Sequence, residues 1–336
     1  MQKKFATAFK LLMAFIAATM LANSLCYFYF SPAVQIPNEK HFTELKLIPS
    51  NHNPYGIEGY GNITVDKNGF NNVINFPCPD ARALFLGSSQ TEAQHVGSQE
   101  NYVARLNTAL PDLYGYNLGI SGSTFVTTFV RIPALIENFP KAEVLVFEIN
   151  IMPTLNELTK LRDELASGAL PDKDISWKAN NPFMYLAARM PLARLIYIKY
   201  KTSHPVSTAA AKKSTEPLKL DAASYENTLR EVLTLGKSLA GSRKIVIFSI
   251  DKLKQNPDGS ATIAGDNGET AIFAKVSAEL GIDYIPTGKA FLTAYNNQHT
   301  FPCGFYNTAP NAGHLNIYGH QAIADELAPV LGGFLK

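Results

Sequence analysis

Five short apolar runs, each closed by turn-forming residues and separated by stretches of helical periodicity, constrain this chain more than any other feature. They cover residues 81–88 (ARALFLGS), 113–121 (LYGYNLGIS), 142–150 (AEVLVFEIN), 243–250 (RKIVIFSI) and 281–287 (GIDYIPT). Runs of this length without strict alternation read as strands buried on both faces of a parallel sheet. The helical stretches between them are 100–110, 124–139, 224–241 and 267–281, and a last one, IYGHQAIADELAPVLGGFL, closes the chain. Pro133 should kink or break the second. Strand–helix alternation with right-handed crossovers predicts an α/β three-layer sandwich. Its core is a doubly wound, flavodoxin-like parallel sheet of about five strands.

Ahead of this pattern lies LLMAFIAATMLANSLCYFYF, residues 11–30, preceded by Lys3, Lys4 and Lys10. About 20 apolar residues match a bilayer's hydrocarbon thickness, and the lysines favour a cytoplasmic N-terminus. We read 1–30 as a cytoplasmic stub and one N-terminal transmembrane signal anchor; a cleaved signal peptide is the alternative. Residues 31–64 read as a linker or lead-in, and 65–336 as the folded domain. Residues 155–223 break the strand–helix rhythm and read as an insertion. Its basic, aromatic part (MYLAARMPLARLIYIKYK) fits an amphipathic helix packed on the core, a lid, or a membrane-facing or partner surface. The tract STAAAKKSTEP, 207–217, reads as a loop.

The chain has 30 Lys and Arg against 28 Asp and Glu, a net charge of +2, and no dense basic run, so nucleic acid is not an expected partner. Export permits a disulfide between Cys78 and Cys303, with two buried thiols as the alternative. No HExxH, paired CxxC or Walker loop is present. Neither metal nor nucleotide nor any other cofactor is expected.

In such sheets ligands bind at the carboxyl ends of the strands. Gly87-Ser88-Ser89 ends the first strand, Asn117–Thr124 (NLGISGST) follows the second, and Glu148-Ile149-Asn150 ends the third. A nucleophilic serine needs a base, usually histidine, and donors for its oxyanion. His314 stands just before the last helix. His320 reads as packed within that helix.

Taken in order, these blocks resemble the SGNH (GDSL-type) hydrolase superfamily of esterases and acyltransferases. Asp66-Lys67-Asn68-Gly69-Phe70 resembles the lead-in of its exported members. The Gly-Ser-Ser variant is similar to membrane-anchored proteins of teichoic acid D-alanylation. The resemblance implies Ser89 as nucleophile and His314 as base. It implies an oxyanion hole made by the Ser89 and Gly122 amides and the Asn150 side chain. Ser88, Gln90 and His95 are candidate pocket residues. The family's Asp-x-x-His block reads Asn311-Ala312-Gly313-His314 here, without the aspartate. Three readings stay open: Asn311 orients His314, another carboxylate or a carbonyl does, or the site only binds.

The implied activity is that of a serine-dependent esterase or O-acyltransferase on acyl, most simply acetyl, esters of cell-envelope or exported carbohydrate. A membrane-bound acyl-transferring partner and an extracytoplasmic, bacterial setting come by the same resemblance. The alternative is a catalytically degenerate, membrane-anchored binding or assembly protein.

Overall fold

A computed structural model describes residues 2–74, 76–168, 190–203, 221–265 and 268–334. The five expected strands form one parallel sheet. They are β1 (Ala83–Leu86), β2 (Gly115–Asn117), β3 (Val144–Ile149), β4 (Lys244–Ser249) and β5 (Asp283–Pro286), in spatial order β5-β4-β3-β1-β2. The order reverses at β1, which pairs with β2 on one side and β3 on the other. That reversal opens the crevice in which doubly wound sheets bind ligands.

Alternate residues of each strand feed opposite cores. Leu84, Leu86, Leu145, Phe147, Ile149, Ile245 and Ile247 enter one hydrophobic cluster. Phe85, Val144, Val146, Val246 and Phe248 enter the other. Both faces are apolar because both are covered, which is why the runs show no alternation. Helices α4 (Phe125–Phe129), α5 (Ile132–Asn138), α6 (Leu155–Ser167), α8 (Ala222–Ala240) and α9 (Glu269–Leu280) supply the first cluster. The second is supplied by α3 (Tyr102–Ala109), α10 (Gly288–Gln298) and α11 (Ile317–Phe334). The expected break at Pro133 occurs: α4 ends before Val130, and Pro133 sits in the first turn of α5, where its missing N–H costs nothing.

Two expectations change. Residues 31–64 are more than a lead-in. Ala33, Phe42, Leu47 and Ile63 lie in the first core cluster, and short antiparallel pairs join Gln35–Pro37 to Leu45–Leu47 and Pro54–Tyr55 to Gly61–Asn62. The start of the expected insertion is also core. Helix α6 opens with a capping box, Thr154 with Glu157, and buries Leu158, Leu161 and Leu165. Its partner in the layer is α8, to which Arg162 reaches through Glu231. Helix α7 (Pro191–Ser203) is the described part of the basic, aromatic stretch. The tract 207–217 lies outside the described residues.

The cysteines are free. Cys78 packs against the first cluster and Cys303 against the second, on opposite faces of the sheet. The Cys78–Cys303 disulfide is therefore corrected to two separate thiols, and burial pushes the Cys303 thiol up to about 11.

Helix α1 (Gln2–Tyr29) precedes the domain. Its span Lys4–Tyr29 is long and apolar enough to be a membrane anchor or a signal sequence.

Candidate active site

The chain turns sharply at the carboxyl end of β1. Ser88 caps a single helical turn, α2 (Ser89–Glu92), accepting from the Gln90 N–H, so Ser89 stands at the first helical position. The turn is fixed from below by a buried carboxylate. Glu148, at the end of β3, accepts hydrogen bonds from the Ser88 and Thr91 hydroxyls, and Thr91 also meets the Tyr102 hydroxyl at 2.8 Å. Burial raises the Glu148 carboxyl, and the two hydroxyls only partly oppose that. Ser88 is thus a buried support for the turn, not a pocket residue.

His314 comes from the other end of the chain. Its Nε2 lies 2.9 Å from Ser89 Oγ. Its Nδ1 lies 2.8 Å from Glu58 Oε2, and its backbone N–H donates to Glu58 Oε1 at 2.5 Å. With a proton on Nδ1 donated to Glu58, Nε2 is left as an acceptor for the Ser89 hydroxyl. Burial alone would raise Glu58. The hydrogen bonds and charge of His314 outweigh it and hold the carboxyl below its ordinary value.

Gly313 makes this contact sterically feasible. A Cβ there would sit 2.0 Å from Glu58 Oε1, and its φ of +80° is a left-handed value. Gln90 locks the same loop to α2, its Oε1 accepting from the Leu315 N–H at 2.8 Å.

Asn311 does not orient His314. Its Nδ2 donates to the Leu253 carbonyl at 2.5 Å, and its φ of +58° is one asparagine tolerates better than most residues. Its role is corrected to shaping the turn before Gly313. The residue that sequence reasoning missed is Glu58. It lies 256 positions before His314, in the segment taken as a lead-in, with no motif around it. The only available signal was an isolated acid between glycines in YGIEGYG.

His95, a candidate pocket residue, does reach the site, as a buried ring. Its ring stacks on that of His314 with centroids 3.8 Å apart and planes 19° apart. Burial and the neighbouring His314 push it down to about 4, against the pull of Glu58, so it is neutral near pH 7. Glu58, His95 and His314 place three ligand-type atoms within 4.8 Å of one another. Stacked imidazoles, however, point their in-plane lone pairs alongside each other rather than at one ion. His314 Nδ1 also carries the proton donated to Glu58, and its Nε2 accepts from Ser89, so both of its nitrogens are already engaged. The arrangement fits a hydrogen-bonded base better than a metal centre.

The expected oxyanion donors lie at the same sheet edge. Leu86 of β1 is in register with Phe147 of β3, so Ser89 and Asn150 are each three residues beyond one pair. Asn150 lines an open cleft with Met152, Lys252 and Ala264. After β2 the chain stays hydrogen-bonded along β1, Ile120 N–H donating to Gly87 O at 3.1 Å. It then turns at Ser121-Gly122, where Gly122 has φ +92°. Buried Glu92 anchors this turn by accepting from the Ser121 N–H at 2.5 Å.

No protein-family model matches the chain, and no curated protein matches it in sequence. Among solved structures it is similar to an acetyl xylan esterase, at 16% identity over 74% of this chain and 98% of that one, with a TM-score of 0.38. It is also similar to the psychrotrophic esterase EstA from Pseudoalteromonas sp., in a structure inhibited by monoethylphosphonate. That match has 13% identity over 76% and 99% of the two chains, and a TM-score of 0.40. A third is a member of the lipolytic protein G-D-S-L family from Veillonella parvula, at 12% identity over 74% and 97%, with a TM-score of 0.36.

Proposed function

We propose that this chain is a serine esterase or O-acyltransferase of the SGNH type. The observation that carries the reading is the relay Glu58–His314–Ser89, with contacts of 2.8 and 2.9 Å through the two nitrogens of one imidazole. Glu58 holds the tautomer and offsets the imidazolium charge that forms when His314 takes a proton. The Ser89 oxygen attacks an ester carbonyl while its proton passes to His314 Nε2. The Ser89 and Gly122 amides and the Asn150 side chain receive the oxyanion. His314 then returns the proton to the leaving alcohol, leaving an acyl group on Ser89. Water or a sugar hydroxyl, deprotonated by His314, takes that acyl group and regenerates the serine.

The case for a degenerate binding protein rested on the missing aspartate, and Glu58 supplies a carboxylate in its place. The carbohydrate substrate, the membrane-bound acyl-transferring partner and the extracytoplasmic setting remain part of the proposal by resemblance. The test is p-nitrophenyl acetate turnover by the full chain in detergent, beside Ser89→Ala, with and without sugar acceptors. Release of nitrophenol that vanishes in Ser89→Ala is expected. Acetylated sugar in the products would mark a transferase. Equal release by both proteins would refute the serine mechanism.

A further inference from the structure

The loop that carries Glu58 is fastened to the C-terminal end of α1, whose span is long and apolar enough to cross a bilayer. Three contacts bind them. The Tyr29 hydroxyl donates to Gly56 O at 2.5 Å, the Tyr60 hydroxyl donates to Phe28 O at 3.0 Å, and His52 Nε2 lies 3.0 Å from Tyr27 O. Gly56 is required for this fit, since a Cβ there would fall 2.4 Å from the Tyr29 ring. From the same end a row of rings leads to the reacting residues. Phe30, fully buried, meets Tyr55 at 5.2 Å, Tyr55 meets His95 at 4.5 Å, and His95 stacks on His314 at 3.8 Å. Only Gly56 and Ile57 separate Tyr55 from Glu58.

A second element meets the same level independently. Helix α7 begins against α1, its Leu192 N–H donating to Asn23 Oδ1 at 3.2 Å, and Arg194 donates to Pro32 O. It turns Ile196, Tyr197 and Tyr200 outward, each at least 60% exposed. Tyrosines with an aliphatic neighbour, beside an apolar helix of spanning length, suit the membrane–water interface.

We propose that the site faces the bilayer surface that α1 enters, and that its ester substrate or acyl donor is an amphiphile seated in that leaflet. The assignment rests on the serine reading above. A site built on the last turn of a spanning helix stands within a few residues of the headgroups, where an ester on a long alkyl chain is concentrated by burial of that chain in the bilayer. A water-soluble ester gains nothing from that position.

The test uses the full chain in nanodiscs, with two readouts. In a Trp177→Phe background, which removes the only native tryptophan, Tyr60→Trp reports depth by quenching with lipids brominated near the headgroup. Hexadecyl acetate in the disc is compared with ethyl acetate in the buffer, and fluorophosphonate labelling of Ser89 confirms an intact site in each variant. We expect quenching by brominated lipid, hexadecyl acetate favoured at least 100-fold in kcat/KM, and rates that follow its mole fraction in the disc. Quenching only by aqueous iodide, or rates that follow bulk concentration with Ser89 still labelled, would overturn the membrane assignment alone. Absence of labelling in the folded native chain would overturn the serine reading and the substrate assignment with it.

Discussion

One carboxylate holds both the ring and the backbone of His314: Glu58 Oε2 lies 2.8 Å from its Nδ1, and Glu58 Oε1 accepts its backbone N–H at 2.5 Å. The contact closes a loop of 256 residues between the lead-in and the last turn before α11. It fixes where the imidazole stands and which nitrogen carries the proton. The two effects separate experimentally.

Glu58→Gln keeps the shape and removes the charge. The amide can present its oxygen to only one of the two N–H groups of His314, and it cannot offset an imidazolium. We expect kcat to fall about 10³–10⁴-fold with KM little changed, as in the comparable change in a serine protease. Steady-state kinetics on p-nitrophenyl acetate checks this.

Asn311→Asp separates the structure from the family pattern, because it restores the residue the motif lacks. The Asn311 side chain donates to the Leu253 carbonyl. A carboxylate there has no proton to donate and faces another acceptor. No gain in kcat is expected, and stability should fall by about 1–2 kcal/mol in a denaturant titration. A rise in kcat would return Asn311 to the site.

The buried histidines set an acid limit on stability. His95 and His320 ordinarily titrate near 6.5, and burial pushes them down to about 4 and about 3. His320 is also opposed by the Arg105 charge, and its Nδ1 has no hydrogen-bond partner among the described residues. Below pH 6.5 the unfolded chain takes up protons that the folded chain refuses. Stability therefore falls as pH drops from 6.5, and each contribution levels off once its folded value is passed. Each histidine contributes a slope of up to about 1.4 kcal/mol per pH unit. Denaturant titrations at pH 7, 6, 5 and 4 should show a shallower decline in His320→Gln than in the native chain.

The sheet was legible because buried parallel strands are dense apolar runs, and all five were placed by that signal alone. The Ser89 turn and the strand-end positions of Gly122 and Asn150 were legible for a related reason: α/β sheets present polar residues at the carboxyl ends of strands, and His314 was legible as the base such a serine needs, standing just before the last helix. Glu58 was not legible. It sits on neither strand nor helix, and what brings it to His314 is the packing of residues 31–64, whose elements are only two or three residues long. Asn311 misled because it occupies the right place in sequence, while its left-handed backbone sends the side chain to Leu253. His95 was placed among the pocket residues, but its stacking on His314 was not legible, because a lone histidine says nothing about the ring it packs against. Helix α6 was hidden by its location in a stretch whose following residues lose the strand–helix rhythm.

The most direct measurement is the rate at which a fluorophosphonate labels Ser89, with the modified peptide identified by mass spectrometry, in the native chain, Ser89→Ala and Glu58→Ala. The relay predicts one label per chain on Ser89, none in Ser89→Ala, and labelling slowed at least 100-fold in Glu58→Ala while the fold persists. A native rate in Glu58→Ala, or no label on the folded native chain, would contradict it.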